Sequence, residues 1–471
     1  MADTARETGT WRELLGSYLG TSIVLAGGVA MYATNEFLTV SLLPSAIAEI
    51  GGGRLYAWVV TLYLVGSVVA ATTVNSMLRR FGARSSFLLA LVVFGVASLV
   101  CAAAPNMGVL IAGRTLQGVA GGVLAGLGYA LINSALPRTL WTRGSALVSA
   151  MWGVATVVGP AMGGLFAQFG LWRWAFGVMA ILTALMGLLV PVVLGSDRGA
   201  RQDQTAGGPK LGVPVWSLLL IGAAALAVSV AQLPRNAMAI SGLLVVGVLL
   251  VGVFVVVDRR SGAAVLPPSV FGSGPLKWIY LTMAVQMAAV MIDTYVPLFG
   301  QRLGHLTPVA AGFLGASLAI GWTVSEIASA SLNNPRVIGY VVLAAPLVMA
   351  SGLALGAATQ QANAPGRVVA AWAVGLLIAG IGIGMTWPHL SMRAMDSVDD
   401  PAESGAAAAA INTVQLISAA FGAGLAGVVV NVAEADDLAA ARWLYAVIAV
   451  LAATAVIAST KASQRDRGTP R

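Results

Sequence analysis

Charge is scarce in this chain. Asp, Glu, Lys and Arg make up 9% of its 471 residues, where a soluble domain carries about 25%. Histidine is limited to His305 and His389, and cysteine to Cys101. A lone cysteine excludes an intrachain disulfide, and no Cys/His pairs stand at metal-ligand spacing. No Gly-x-x-x-x-Gly-Lys-Ser/Thr run occurs, so ATP binding in the Walker manner is excluded. The stretch 380–384, Gly-Ile-Gly-Ile-Gly, lies inside an apolar run and reads as close helix packing rather than a nucleotide loop. A membrane enzyme would want a His or Asp cluster on one rim, and only scattered single residues are present. No cofactor or metal is expected.

What fills the chain is apolar: 58% hydrophobic residues, 56 glycines and a mean hydropathy of +0.88. That composition predicts an all-α polytopic membrane protein. A bilayer span needs about 20 mostly apolar residues, and fourteen such runs are expected, at 22–48, 56–78, 87–104, 109–135, 145–169, 174–194, 213–231, 237–257, 275–299, 309–330, 337–358, 368–388, 406–432 and 444–459. They group as six, two and six. The expected organisation is a cytoplasmic segment 1–21, a six-helix bundle 22–195, a Gly- and charge-rich linker 196–212, two additional helices 213–257, a linker 258–273, a second six-helix bundle 274–459 and a tail 460–471. The first 19 residues are polar with no evident cleavage site, and 11–19 reads as a short amphipathic surface helix.

The formal net charge of +8 is not clustered, so a nucleic-acid partner is not expected. With alternating loops and a cytoplasmic N-terminus, 19 of the 26 Lys and Arg fall inside and six outside, as the positive-inside rule requires. Both termini are then cytoplasmic and the protein sits in the plasma (inner) membrane. A weak internal repeat aligns 66–80 with 321–335, each near the end of the second span of its half. Repeated halves with a midplane site between them are the usual build of secondary transporters.

Three acids lie within apolar runs: Glu36, Asp293 and Glu326. Proton coupling needs a poorly solvated carboxylate and a means of resetting it. Glu36, deep in the first span, is the first candidate; hydrogen bonding to neighbouring backbone is the alternative. Asp293 could bind protons or the cationic group of a substrate, or line a vestibule. Glu326 is nearer a helix end and reads as a gate or loop contact. Arg114 would order polar groups and lower the proton affinity of Glu36 in one state, or bond structurally to first-span carbonyls; Gln117 shares its face. Tyr32, Tyr63, Met151, Trp152, Met287, Trp322 and Trp387 are candidates for an apolar, aromatic substrate pocket, with core packing as the alternative for each, and Gln117 is a candidate polar group for the same substrate. His389, beside Pro388, reads as a capping or loop residue.

Four patches resemble the major facilitator superfamily, and more narrowly its 14-helix drug:proton antiporter branch. They are Asn-Ser-Met-Leu-Arg-Arg-Phe-Gly-Ala-Arg at 75–84, Ile-Ala-Gly-Arg-Thr-Leu-Gln-Gly-Val-Ala-Gly-Gly at 111–122, Gly-Pro-Ala-Met-Gly-Gly at 159–164 with Trp-Arg-Trp-Ala-Phe at 172–176, and Leu-Gly-His-Leu-Thr-Pro-Val-Ala-Ala-Gly at 303–312. The resemblance implies a proton-coupled antiporter exporting amphipathic, often cationic drugs by alternating access, with protons, small lipophilic molecules and membrane lipid as partners and a monomeric state. An exporter of a native lipid or envelope metabolite is the alternative. It also implies gating roles for Arg80, Gly82 and Arg84 and for Gly159, Pro160, Gly163 and Gly164. The sequence departs from the pattern at Arg79, where the family usually carries an acid, and at Asn35, where the branch usually carries an aspartate. Glu36 is its neighbour, and one residue along a helix turns a side chain by about 100°.

Overall fold

The computed structural model describes residues 10–194, 215–261, 264–332, 334–398, 404–433 and 436–463. The expected linker 196–212 and residues 464–471 of the expected tail lie outside these, while 460–463 continue the last helix. Among the described residues thirteen helical stretches are long and apolar enough to cross a bilayer, and Trp216–Val230 is a shorter apolar helix. These fourteen segments match the fourteen expected from hydropathy, and the chain is a multi-pass membrane protein. The expected surface helix is corrected: only Trp11–Leu14 is α-helical, turns follow, and Ser22 Oγ donates to Leu14 O at 3.1 Å.

In chain order the helices are α1 (Leu19–Ile50), α2 (Tyr56–Ala71), α3 (Val74–Phe81), α4 (Ala83–Ala102), α5 (Met107–Ala130), α6 (Trp141–Gln168) and α7 (Trp172–Val193). Then come α8 (Val215–Val230), α9 (Ala237–Arg260), α10 (Leu276–Val290), α11 (Val296–Gly304), α12 (Pro308–Ala330), α13 (Pro335–Thr359), α14 (Gly366–Gly384), α15 (Trp387–Asp396), α16 (Ser404–Val432) and α17 (Asp437–Ser463). Several predicted spans are thus broken within their length. The second breaks between α2 and α3, and the ninth between α10 and α11.

The helices form two compact units, 1–39 with 66–210, and 40–65 with 211–471. The division inside α1 falls between Thr39 and Val40. Pro44 lacks the N–H that would bond the Val40 carbonyl, and its ring crowds that carbonyl, so the helix is weakest there. The hairpin 40–65 consequently belongs with helices from the second half of the sequence.

Within the first unit α4 packs against α5 and α7. α6 lies so close to α1 that a Cβ at Gly163 would overlap the Leu38 carbonyl. In the second unit α12 packs on α14, α13 on α14 and α17, and α8 on α9 and α16. There Gly422 of α16 meets the Ala288 carbonyl of α10 in the same manner. The glycine aligned in the weak repeat behaves alike in each half: Gly66 abuts Thr115 O, and Gly321 abuts Leu377 O. The repeat is therefore written in helix contacts, second span to fourth and fifth to first, where small residues permit close backbone approach.

Asp258, at the end of α9, is fully buried and accepts the Val265 and Leu266 N–H groups at 2.8 and 2.9 Å. A residue placed by hydropathy in a linker thus fixes the chain leaving α9.

Candidate functional site

In the first unit a polar cluster lies inside the helices. Arg114 of α5 is 0% exposed, and its Nη1 donates to Gln117 Oε1 at 2.9 Å. Gln117 Nε2 donates in turn to Ser98 Oγ of α4 at 2.9 Å, and Cys101 Sγ is 3.5 Å from Gln117 Oε1. An arginine in the bilayer is tolerated when protein groups replace its water. Here the sequence supplies them one turn away on α5 and across on α4. The Gln117 amide is thus buried and engaged on both its oxygen and its nitrogen. Gln117→Leu is expected to lower stability by about 1–3 kcal/mol by leaving buried donors unmatched. A fall in the thermal unfolding temperature of the detergent-purified protein is the check.

Tyr32 of α1 neighbours Glu36, Ser67 and Arg114, and its ring meets Trp152 of α6 edge-on at 5.7 Å. Two of the predicted aromatic residues and two of the predicted coupling residues therefore share one neighbourhood; Met151 is half-buried beside Trp152. Glu36 is half-buried, whereas Asn35 is 0% exposed with neither side-chain polar atom hydrogen-bonded. Gly159 packs against Thr34, Phe37 and Leu38, and Gly163 against Leu38. The Gly159–Gly164 motif, with Pro160 and Gly164 buried, thus presses α6 onto the turn of α1 that carries Asn35 and Glu36. Gly82 joins α3 to α4 at φ 81°, a conformation glycine adopts without strain. Arg80 lies over the Phe81 ring at 5.4 Å, and Arg84 is half-buried at the start of α4.

In the second unit Asp293 stands in the middle of a 3₁₀ segment, Met291–Tyr295, that interrupts the helix between α10 and α11. Pro297 causes the break. It has no N–H for the Asp293 carbonyl four residues back, and Val296 N–H takes that carbonyl instead. A 3₁₀ stretch within a helix marks a hinge or strain, and interrupted helices mark transporter sites. Asp293 Oδ1 is buried with no hydrogen-bond partner and points at Gly315 of α12, where a Cβ would stand 2.6 Å from it. Two residues on, Tyr295 stacks on Tyr56 with ring centroids 4.6 Å apart and planes 22° apart, and on Phe299 at 6.1 Å. Tyr56 is 2% exposed, and Asp293 and Arg302 lie within electrostatic reach of its hydroxyl.

Of the other predicted residues in this unit, Tyr63 and Met287 are buried. Trp322 is half-buried, pairs with Trp387 at 5.4 Å and hydrogen-bonds Glu326 one turn along α12. Glu326 therefore belongs with the tryptophan pair. The reading of His389 as a capping or loop residue is corrected. The residue is 3% exposed in α15, with Nε2 2.8 Å from Ser329 Oγ.

Sequence reasoning missed the groups around these. Gln286 is fully buried, accepts Thr386 Oγ1 at 3.1 Å and donates to Gly382 O at 3.5 Å. Tyr56, Tyr295 and Asn431 were also missed. Pro297, four residues after Asp293, was the available signal for the broken helix. Among the described residues no group of three or more His, Cys, Asp or Glu could hold a metal ion.

Residues 25–423 match the sequence profile of the Major Facilitator Superfamily. Over all 471 residues, and the full length of both chains, the sequence is 74% identical to a Mycobacterium tuberculosis protein named a probable multidrug-efflux transporter. It is 29% identical over 435 residues to a puromycin resistance protein of Streptomyces alboniger, covering 89% of this chain and 83% of that one. Among solved structures, a D-xylose-proton symporter superposes with a TM-score of 0.66 at 15% identity, covering 93% of this chain and 97% of that one.

Proposed function

The chain belongs to the major facilitator superfamily, and from that premise we propose that it is a proton-coupled antiporter exporting amphipathic, often cationic drugs or related lipophilic compounds. Like its relatives it is a membrane transporter of small molecules. The proposal adds the direction, the coupling and the residues. The full-length identity to a protein named for multidrug efflux supports the substrate class. The observation that carries the coupling is Asp293: a carboxylate oxygen buried without a donor, at the break of an interrupted helix. Such a group exchanges a proton when the surrounding helices re-hydrate or re-bury it.

In this reading Glu36 with Arg114 is the second titrating pair. Tyr32 and Trp152, and separately Trp322, Met287 and Tyr63, supply apolar contact area for the substrate. Both termini are cytoplasmic, as the distribution of Lys and Arg favours. Alternating access moves the two halves against each other, and no bond is made or broken.

The test is uptake of a fluorescent lipophilic cation into inside-out membrane vesicles holding the protein, with an imposed acid-inside pH gradient. Accumulation that collapses with a protonophore is expected. If none occurs above vesicles lacking the protein, the drug:proton reading falls, and export of an amphipathic lipid is the reading to test next.

A further inference from the structure

The two additional helices, α8 and α9, have no evident part in binding or coupling. Where α8 ends, however, three separate parts of the second unit meet. The Arg54 guanidinium, from the hairpin 40–65, donates to Leu233 O at 2.8 Å. Asn431 Nδ2 of α16 donates to Arg54 O at 2.9 Å and to Gln232 O at 3.3 Å. Gln232 is 1% exposed and fills the notch left by Gly427 of α16, where a Cβ would overlap its amide and stand 2.8 Å from Ala57 Cβ. One half-buried amide side chain thus ties the hairpin backbone to the turn that closes the additional pair.

Two residues beyond Arg54 is Tyr56, whose ring lies on Tyr295 beside the Asp293 break. A cavity of about 280 Å³ reaches this stack, lined by Arg54, Tyr56, Tyr295, Asn431, Arg302 and Asp437. Arg302 and Asp437 pair across its rim at 2.7 Å, both substantially exposed, an arrangement of small net stability. The stack is therefore held by the buried and half-buried contacts at Arg54, Gln232 and Asn431 more than by the rim ion pair.

We propose that the turn 231–236 of the additional helix pair is the keeper of an outer gate: with Asn431 it positions Arg54, and through it Tyr56, so that the Tyr56–Tyr295 stack covers Asp293. Arg54, Gln232 and Asn431 are positioning residues. Opening this gate exposes Asp293 to the cavity and the outer solution. The hairpin is bounded by two points suited to bending, the Pro44-weakened turn of α1 and Gly66 of α2, where the compact units divide. The additional helices then supply a fixed acceptor that a twelve-helix chain would lack. The assignment of sides rests on the function proposed above; the keeper itself does not.

The experiment is hydrogen exchange of the full-length protein in lipid nanodiscs, wild type against Asn431→Leu, together with proton leak in vesicles without drug. Loss of the two donor bonds is expected to raise exchange in 56–65 and 290–299 by about tenfold, with 87–102 unchanged, and to raise proton leak. Unchanged exchange in 56–65 and 290–299 overturns the keeper, whatever transport does. If exchange rises everywhere, Arg54→Ala, which removes a half-exposed side chain, replaces the first variant. It must then raise exchange in those two segments alone, and a uniform rise or none overturns the proposal. Arg54→Lys, which keeps a donor, is expected to stay near wild type. Selective exchange with no gradient-driven transport even in wild type would leave the keeper standing and remove the antiport reading.

Discussion

Asp293→Asn is expected to lower gradient-driven efflux by about a hundredfold or more, because an amide cannot exchange a proton while keeping nearly the same shape. Substrate binding, and exchange of labelled for unlabelled substrate without a gradient, should survive. The 3₁₀ break is set by Pro297 rather than by the carboxylate, so the local fold is retained. Vesicle uptake under an imposed pH gradient, alongside counterflow, separates the two. Glu36→Gln is the companion. If it abolishes gradient-driven uptake while Asp293→Asn does not, coupling belongs to the Tyr32–Glu36–Arg114 neighbourhood of the first unit and the assignment to Asp293 is wrong. If each reduces it, the two sites titrate in one cycle.

The second large effect lies at a glycine. Gly163→Leu would drive a side chain into the Leu38 carbonyl, which is backbone and cannot rotate away. Overpacking typically costs about 1–3 kcal/mol when side chains can adjust, so a clash with backbone should exceed that range. The expected result is little folded protein in the membrane, or folded protein without transport because α1 and α6 have separated. Gly422→Leu, facing Ala288 O in the second unit, should behave alike. Gly153 is the internal control: it sits on α6 with nothing within 4 Å of its would-be Cβ. Gly153→Ala should be neutral or stabilising by up to about 1 kcal/mol. Size-exclusion profiles and unfolding temperatures of the three variants decide the matter. A wild-type profile for Gly163→Leu would show that the α1–α6 contact is dispensable.

Each of these positions had a different visibility in the sequence. Gly163 stood inside a Gly-Pro-Ala-Met-Gly-Gly run that carried the family resemblance and an expected gating role. The sequence could not say that its partner was Leu38, beside Asn35 and Glu36, because a helix–helix contact depends on rotation about both axes. Arg114 and Gln117 share a face by helical spacing alone. That Ser98 completes their network required α4 to lie across α5, which helical spacing alone does not specify. His389 beside a proline looked like a cap, and only the packing of α15 against Ser329 of α12 showed it buried. Asp293 was visible as an intramembrane acid, but the helix break at that point needed the missing Pro297 N–H to be followed back four residues.

By itself the sequence determined what depends on composition and short-range periodicity. These are the membrane class, the number of apolar segments, the excess of Lys and Arg on alternate loops, and the motifs that carry the family resemblance. The bilayer makes these legible, since every span must be apolar and must satisfy its own backbone. Only the tertiary structure decided which segments belong together. It placed the hairpin 40–65 with helices from the second half of the chain, and it brought Tyr56 onto Tyr295 beside Asp293. It also set the end of the additional pair against Arg54 and Asn431. Those contacts join residues up to 377 positions apart. They are fixed by packing of small-residue faces and by a few polar groups seeking partners away from water, and no local pattern along the chain encodes them.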